Sequence, residues 1–530
     1  MKKPHILHKL AGILTILIVL YGGTSLKANA QTNTKIEKTE VFKLFPVRGF
    51  HIDLRIQVMT MPALKKFAKE LSDFGMNTLV MEWEASYPYE KHATISNELA
   101  YTREEIQSFV AYCQQIGIDV IPLQQCFGHV EYILRNERYS KLKEDSKDIS
   151  QICPLKTEAD SLLFSELFAD MASLHPSKYI HIGGDETYLL GHCTECSKKA
   201  ASEGKSKLFV DYMKMMCEIV VGMGKQPVMW ADILLKHPEA ALELPKETIF
   251  IDWNYGWETN YFGDIGSLQQ KGFVFWGSPA IRSHPDNWYI TCWEKHFNNQ
   301  HDFIPYARTA GYEGIVMTSW STSGLYGFSW DTDYKVIDME QMRNVYPLSG
   351  FRILIASYAQ SLKQLDALDP ENFVVDYAQK QFGLSPSDGE KLWKALIVSP
   401  ERIIEGKPAS SNSVAEMRLN NNVARNLLKE LKPARNKNEF EHFRLMSDLR
   451  EFYLAVNQVE AEYNSEKFSI GKSLQLIPEL KRLRTESKKL DKRFSDLNKG
   501  FLYDSEISDQ NRIRNQQLNV LYERLVGARN

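Results

Sequence analysis

The chain has 530 residues, 43% of them hydrophobic and 25% charged, which supplies ample core and excludes disorder as the main state. The formal net charge is -3 and no long basic run is interleaved with aromatics, so nothing points to a nucleic-acid partner. At this length one barrel-sized domain plus a smaller one is expected, because single cores rarely grow past roughly 250 to 300 residues.

In chain order, Lys2 and Lys3 precede the apolar stretch Leu10 to Tyr21, and Ala28-Asn29-Ala30 has the small-residue pattern of a cleavage site. Residues 1–30 are therefore expected to be a signal peptide, leaving a periplasmic or secreted protein without a membrane anchor. The apolar run is shorter than the roughly 20 residues a bilayer needs. No Cys follows it to carry a lipid.

From Phe45 to about Ser361 short apolar runs alternate with amphipathic helical patterns, the signature of repeated β-α units around a parallel sheet. The eight runs are Gly49 to Arg55, Asn77 to Glu84, Asp119 to Gln125, Tyr179 to Gly184, Gln226 to Asp232, Thr248 to Asn254, Gly272 to Pro279 and Gly314 to Trp320. Eight such units predict a (β/α)8 TIM barrel, placed within residues 31–365. Local signals agree: Thr60 can cap a helix ended by Gly75, and Thr102 with Glu105 forms a capping box. After Leu365 the chain turns charged and strand-poor. Helical patterns from about Ser413 to Leu431, Glu439 to Ser465 and Ser469 to Leu497 predict an α-helical C-terminal domain over 366–530.

The seven cysteines are few for an exported protein, and an odd number cannot all pair internally. Cys193 and Cys196 form a C-x-x-C behind His192. No second Cys or His pair at regular spacing accompanies it, so neither a metal nor another cofactor is indicated.

Barrel active sites lie at the carboxyl ends of the strands. The fourth run ends Tyr179-Ile180-His181-Ile182-Gly183-Gly184-Asp185-Glu186, which places two adjacent carboxylates at the strand mouth. Neighbouring side chains in a strand point to opposite faces, so both acids can share a pocket only where the strand breaks; the paired glycines permit that break. On their own, Asp185 and Glu186 could equally cap the following helix.

The block H-x-G-G-D-E resembles family 20 glycoside hydrolases, the β-N-acetylhexosaminidases, and the resemblance runs from Arg48 to Trp320. Arg48-Gly49-Phe50-His51-Ile52-Asp53 looks like the family's first-strand motif, which implies that Arg48 holds sugar hydroxyls. Gly128-His129-Val130-Glu131-Tyr132 is similar to the hexosaminidase D branch and puts His129 in the pocket. Trp230, Trp253 and Trp320, near the ends of the fifth, sixth and eighth runs, stand where the family walls the sugar and its acetamido methyl. Glu82 and Glu84 also resemble that branch and are implied to bind hydroxyls. The family's W-x-E is here Trp320-Ser321-Thr322, so the acid that binds distal hydroxyls is missing. Its acetamido-binding Tyr is not evident in Ser278 to Arg282, which leaves Tyr255 and Tyr289 as substitutes. The small α/β domain that many members carry before the barrel is not evident either, as in the hexosaminidase D branch.

The resemblance implies an exo-acting enzyme that removes terminal β-linked GlcNAc or GalNAc from glycans. In this family the substrate's own 2-acetamido oxygen attacks the anomeric carbon. Glu186 would then be the general acid and base, and Asp185 would orient the acetamido group and stabilise its developing positive charge. Two rivals remain at this level: a barrel glycosidase acting on sugars without acetamido groups, with Glu84 as nucleophile, and a catalytically silent glycan-binding barrel.

Overall fold

The structure, a computed structural model, describes residues 45–527 apart from 284–285, 287–288, 322–344, 399–400, 402, 405–406 and 409–411. The expected signal peptide and Thr322 lie outside the described residues.

Eight parallel strands close into a barrel: β1 (Val47–Asp53), β2 (Thr78–Glu82), β3 (Asp119–Leu123), β4 (Tyr179–His181), β5 (Gln226–Trp230), β6 (Ile249–Trp253), β7 (Val274–Ser278) and β9 (Gly314–Ser319). Closure is made by β1 against β9, with Val47 opposite Gly314 and Phe50 opposite Met317. A further short strand, β8 (Ala280–Arg282), pairs with the carboxyl end of β9 and was not expected from the sequence. Inward-pointing Val80, Ile121, Val228, Ile251 and Val316 fill the barrel together with Trp230 and Trp276, so the interior is a packed core. The outward faces of the strands join the helices in a separate, larger apolar cluster.

The helices begin where their capping residues stand. Thr60 accepts from the Ala63 N–H at the start of the helix Met61–Asp73, and Thr102 with Glu105 makes the complete capping box of Arg103–Gln115. Beyond the barrel, the helices Val414–Glu430, Lys437–Tyr463 and Ile470–Asn498 match the expected patterns closely. Asp504–Gly527 follows them, and Pro370–Tyr377 and Pro386–Ile397 precede them. No helix among the described residues is long and apolar enough to cross a membrane.

The described residues, 45 to 527, belong to one compact unit. The Tyr358 hydroxyl, from the helix Arg352–Ser361, donates to the carbonyls of Gly49 and Ile315 at 2.9 and 3.1 Å. The chain after the helix Ile470–Asn498 returns to the segment after β1. There the Thr60 hydroxyl donates to Gly500 O at 2.7 Å, the Thr60 N–H to Phe501 O at 2.9 Å, and the Tyr503 N–H to Val58 O at 3.4 Å.

Candidate active site

After His181 ends β4, Gly183 and Gly184 take φ of 71° and 97°, a region open to glycine. A Cβ at Gly183 would stand 1.8 Å from the Gln125 amide oxygen, so a larger residue would have to displace that buried side chain as well as hold a left-handed backbone. The turn breaks the strand alternation and delivers Asp185 and Glu186 from one loop. Opposite it, Gly128 packs so tightly on the Asp185 carbonyl that a Cβ would lie 2.6 Å from the oxygen. Glu84, His129 and Glu186 all have left-handed backbones, with φ of 44°, 56° and 48°. Each such residue costs on the order of 1–3 kcal/mol, strain that concentrates at functional sites.

His129 Nε2 lies 3.5 Å from Asp185 Oδ2 and 3.3 Å from Glu186 Oε2. The two acids differ in environment: the Asp185 side chain is 8% exposed and that of Glu186 is 32% exposed. Two carboxylates in unlike surroundings can divide roles between them. The Tyr188 hydroxyl donates to Glu186 Oε1 at 2.7 Å. Burial alone would pull the His129 imidazole down, but the Asp185 charge and hydrogen bonds to both acids hold it well above its usual range. Asp232, just past β5, is pushed up to about 7 by burial and by the neighbouring Asp185 charge. Among the described residues Asp185 Oδ1 is buried without a hydrogen-bond partner, and the Trp253 indole N–H faces the Asp232 carboxyl. Buried polar groups ordinarily have partners, and a ligand rich in hydroxyl and amide groups would supply them here.

Aromatic rings flank this cluster. Trp253 packs on Tyr255, Trp257 and Phe262 with ring centroids 5.0, 5.3 and 4.6 Å apart, and the Trp320 indole N–H donates to the Tyr255 hydroxyl at 2.8 Å. Trp253 and Trp320 are half-buried, with ring surface left for a ligand. Trp230, only 1% exposed and wedged between His181 and Trp320, forms the floor beneath them. Tyr289 lies elsewhere, edge-on against Tyr453 of the C-terminal helices, so of these two candidates Tyr255 is the one at the mouth.

Arg48 does not reach the mouth. It stands at the amino end of β1, where its guanidinium donates to the carbonyls of Gly75 and Phe45 at 2.9 Å each, which corrects its expected place among the substrate-binding residues. The arginine at the carboxyl end is Arg55, whose ring of charge partners is built from β1 and β2: Glu84 Oε1 at 2.7 Å, Glu82 Oε1 at 2.9 Å and Asp53 Oδ1 at 3.9 Å. His51 Nε2 meets the other Glu82 oxygen at 2.9 Å. Burial opposes ionisation of Glu82, yet Arg55 and His51 hold it well below the usual carboxylate range. At Glu84 burial wins over Arg55, with Glu82 and Asp53 adding repulsion, and its carboxyl is held well above that range. Glu84, 4% exposed, thus braces Arg55.

Arg55, Asp232 and Tyr188 were not singled out from sequence. Arg55 and Asp232 each end an apolar run, so the rule that barrel chemistry sits at carboxyl strand ends was signal enough for both. Tyr188 carries no such signal, being an exposed loop residue.

Residues 45–324 match the family described as Glycosyl hydrolase family 20, catalytic domain. The chain is similar to hexosaminidase D of Bos taurus, 26% identical over 291 residues that make 52% of this chain and 84% of that protein. It is also similar to hexosaminidase D of Homo sapiens, 28% identical over 295 residues, 52% of this chain and 60% of that one. Among solved structures it resembles a β-N-acetylhexosaminidase from Bacteroides fragilis, with a TM-score of 0.47 and 18% identity over 63% of this chain and 68% of that one. With the family's catalytic domain matched over more than half its length, and a closed parallel barrel bearing an acid pair at its carboxyl mouth, this chain belongs to glycosyl hydrolase family 20 and is a glycoside hydrolase.

Proposed function

We propose that the protein is an exported, exo-acting β-N-acetylhexosaminidase that removes terminal β-linked GlcNAc or GalNAc from glycans by a retaining, substrate-assisted mechanism. The observation that carries this reading is the delivery of Asp185 and Glu186 from a single loop to one side of one aromatic-walled pocket. An ordinary retaining pair needs carboxyls about 5 Å apart on opposite sides of the anomeric carbon. Adjacent acids instead suit a substrate that brings its own nucleophile. In this reading the acetamido oxygen attacks C1 while the more exposed Glu186 protonates the departing oxygen; Glu186 then activates the water that opens the cyclic intermediate. Asp185, deeper and with Oδ1 bonded to no group among the described residues, takes the acetamido N–H and stabilises the positive charge growing there. Arg55 and the Trp253, Tyr255 and Trp320 rings hold the sugar. Glu84 suits the ordinary nucleophile role poorly, because it is buried and held against the Arg55 guanidinium at 2.7 Å.

The test is inhibition by a thiazoline mimic of the cyclic intermediate, together with a search for a covalent adduct from a 2-fluoro glycoside. Tight thiazoline binding and no adduct are expected. Weak thiazoline binding with a labelled Asp or Glu overturns the mechanism, and faster turnover of β-glucosides than of β-GlcNAc and β-GalNAc substrates overturns the specificity. Export is tested by the amino terminus of the mature chain, expected at or near Gln31 in a soluble fraction.

A further inference from the structure

Behind the loop that carries the acid pair, four side chains that the glycosidase reading does not use converge. Cys153 Sγ lies 3.8 Å from Cys193 Sγ and 3.6 Å from Cys196 Sγ, and these three sulfurs and a Glu144 carboxylate oxygen all lie within 4.8 Å of one another. Four ligands around a tetrahedral zinc with Zn–S of about 2.3 Å place sulfurs about 3.8 Å apart, whereas a disulfide needs about 2.05 Å. Glu144, Cys153 and Cys196 are buried, and Cys193 is half-buried.

The backbone holds these groups in place. Glu144 and Cys153 flank a short antiparallel bridge, Lys143 against Ile152, with the Cys153 N–H donating to Leu142 O at 2.7 Å and the Glu144 N–H to Gln151 O at 3.1 Å. Cys193 is the N-cap of the helix Thr194–Glu203 and its sulfur accepts the Cys196 N–H at 3.4 Å, so the C-x-x-C forms a turn with both sulfurs on one side. Glu144 Oε1 accepts the N–H groups of His192 and Cys193 at 2.7 and 2.9 Å, and the same carboxylate faces the thiols of Cys153 and Cys196. Backbone donors and the positive end of a ten-residue helix therefore face a site whose ligands would be anionic.

We propose that Glu144, Cys153, Cys193 and Cys196 form a structural zinc site that staples the segment after β3, which bears His129, to the loop after β4, which bears Asp185 and Glu186. The sequence pattern concealed it because the partners of the C-x-x-C are not a second pair: one is a single Cys 40 residues upstream of Cys193 and the other is a carboxylate. Binding releases the three thiol protons to solvent, and the thiolates with Glu144 complete a closed tetrahedron with no open position, so the metal takes no part in the glycosidic reaction. It fixes the two loops whose relative placement sets the His129 contacts.

The test needs no glycosidase activity. The full-length chain, purified without chelators, is assayed for zinc by elemental analysis, and its metal-free form is titrated with cobalt(II). One zinc per chain is expected, with a thiolate-to-cobalt charge-transfer band and the visible bands of a tetrahedral ion. Cys153→Ser and Cys196→Ser should each lose the stoichiometric metal, and chelation should lower the Tm of the wild type without moving that of either variant. Glu144→Gln should shift the cobalt spectrum while keeping the thiolate band; an unchanged spectrum overturns Glu144 as the fourth ligand. Sub-stoichiometric zinc with no tetrahedral cobalt spectrum in the reduced chain overturns the site. So does a disulfide among Cys153, Cys193 and Cys196 in the purified protein.

Discussion

Asp232→Asn isolates one electrostatic cost at the mouth of the barrel. Asp232 is 3% exposed, and burial with the Asp185 charge lifts its carboxyl from 3.8 to about 7. A raised acid favours the folded state while it stays protonated, so the stability it contributes is complete below 3.8 and is lost as the pH rises to about 7. At about 1.4 kcal/mol for each pH unit, the loss across that window is about 4 kcal/mol at most. Asparagine keeps the shape and removes the titration. Urea unfolding of wild type and variant across this pH range should therefore show the variant gaining on the wild type steadily up to about pH 7 and holding a constant lead above it. The gap should shrink when Asp185 is also changed to Asn, since part of the rise comes from that charge. A difference that is the same at every pH refutes the argument, because it would mean that Asp232 is already ionised throughout.

Glu186→Gln should lower turnover of glycosides with poor leaving groups by about 10²- to 10⁴-fold with the circular dichroism unchanged. Asp185→Asn should lower kcat by roughly 10²- to 10³-fold and KM much less, as steady-state kinetics on a chromogenic β-GlcNAc substrate will read. Arg48→Ala should cost stability, about 1–3 kcal/mol for the two carbonyls it leaves, and spare KM, whereas Arg55→Lys should raise KM because an ammonium cannot span Glu82 and Glu84 as the guanidinium does. Gly128→Ala should destabilise by about 1–3 kcal/mol in urea melts, because its methyl meets the Asp185 carbonyl rather than a side chain that can yield.

What sequence carries best is local. The caps at Thr60 and Thr102, the glycine pair before Asp185 and the period of each apolar run are short-range signals, and they located the barrel strands and the starts of the two helices that Thr60 and Thr102 cap. The acid pair was legible for the same reason, since a strand that breaks at Gly183-Gly184 announces its own mouth. Arg48 and Arg55 show the limit. Both lie in or beside the same run, and only the direction of β1 within the closed sheet tells that one faces the floor and the other the opening. Trp230 shows another: a tryptophan near a strand end reads as a wall, but its inward orientation against His181 and Trp320 makes it the floor beneath the half-buried rings. Cys153 and Glu144 belong to no motif, and only folding sets them beside Cys193.

The clasp between residues 500–503 and the segment after β1 has a consequence for biosynthesis. The Thr60 hydroxyl bonds a carbonyl 440 residues later in the chain. At about 5–20 residues per second, the ribosome needs roughly 20 to 90 seconds to make that span. Through that interval Val58 and Thr60, just beyond the Arg55 end of β1, have left the ribosome without these carboxyl-terminal partners. The segment that follows the first strand is thus completed only when the carboxyl-terminal helices have been made, and a nick near the carboxyl end would be felt at the opposite end of the chain.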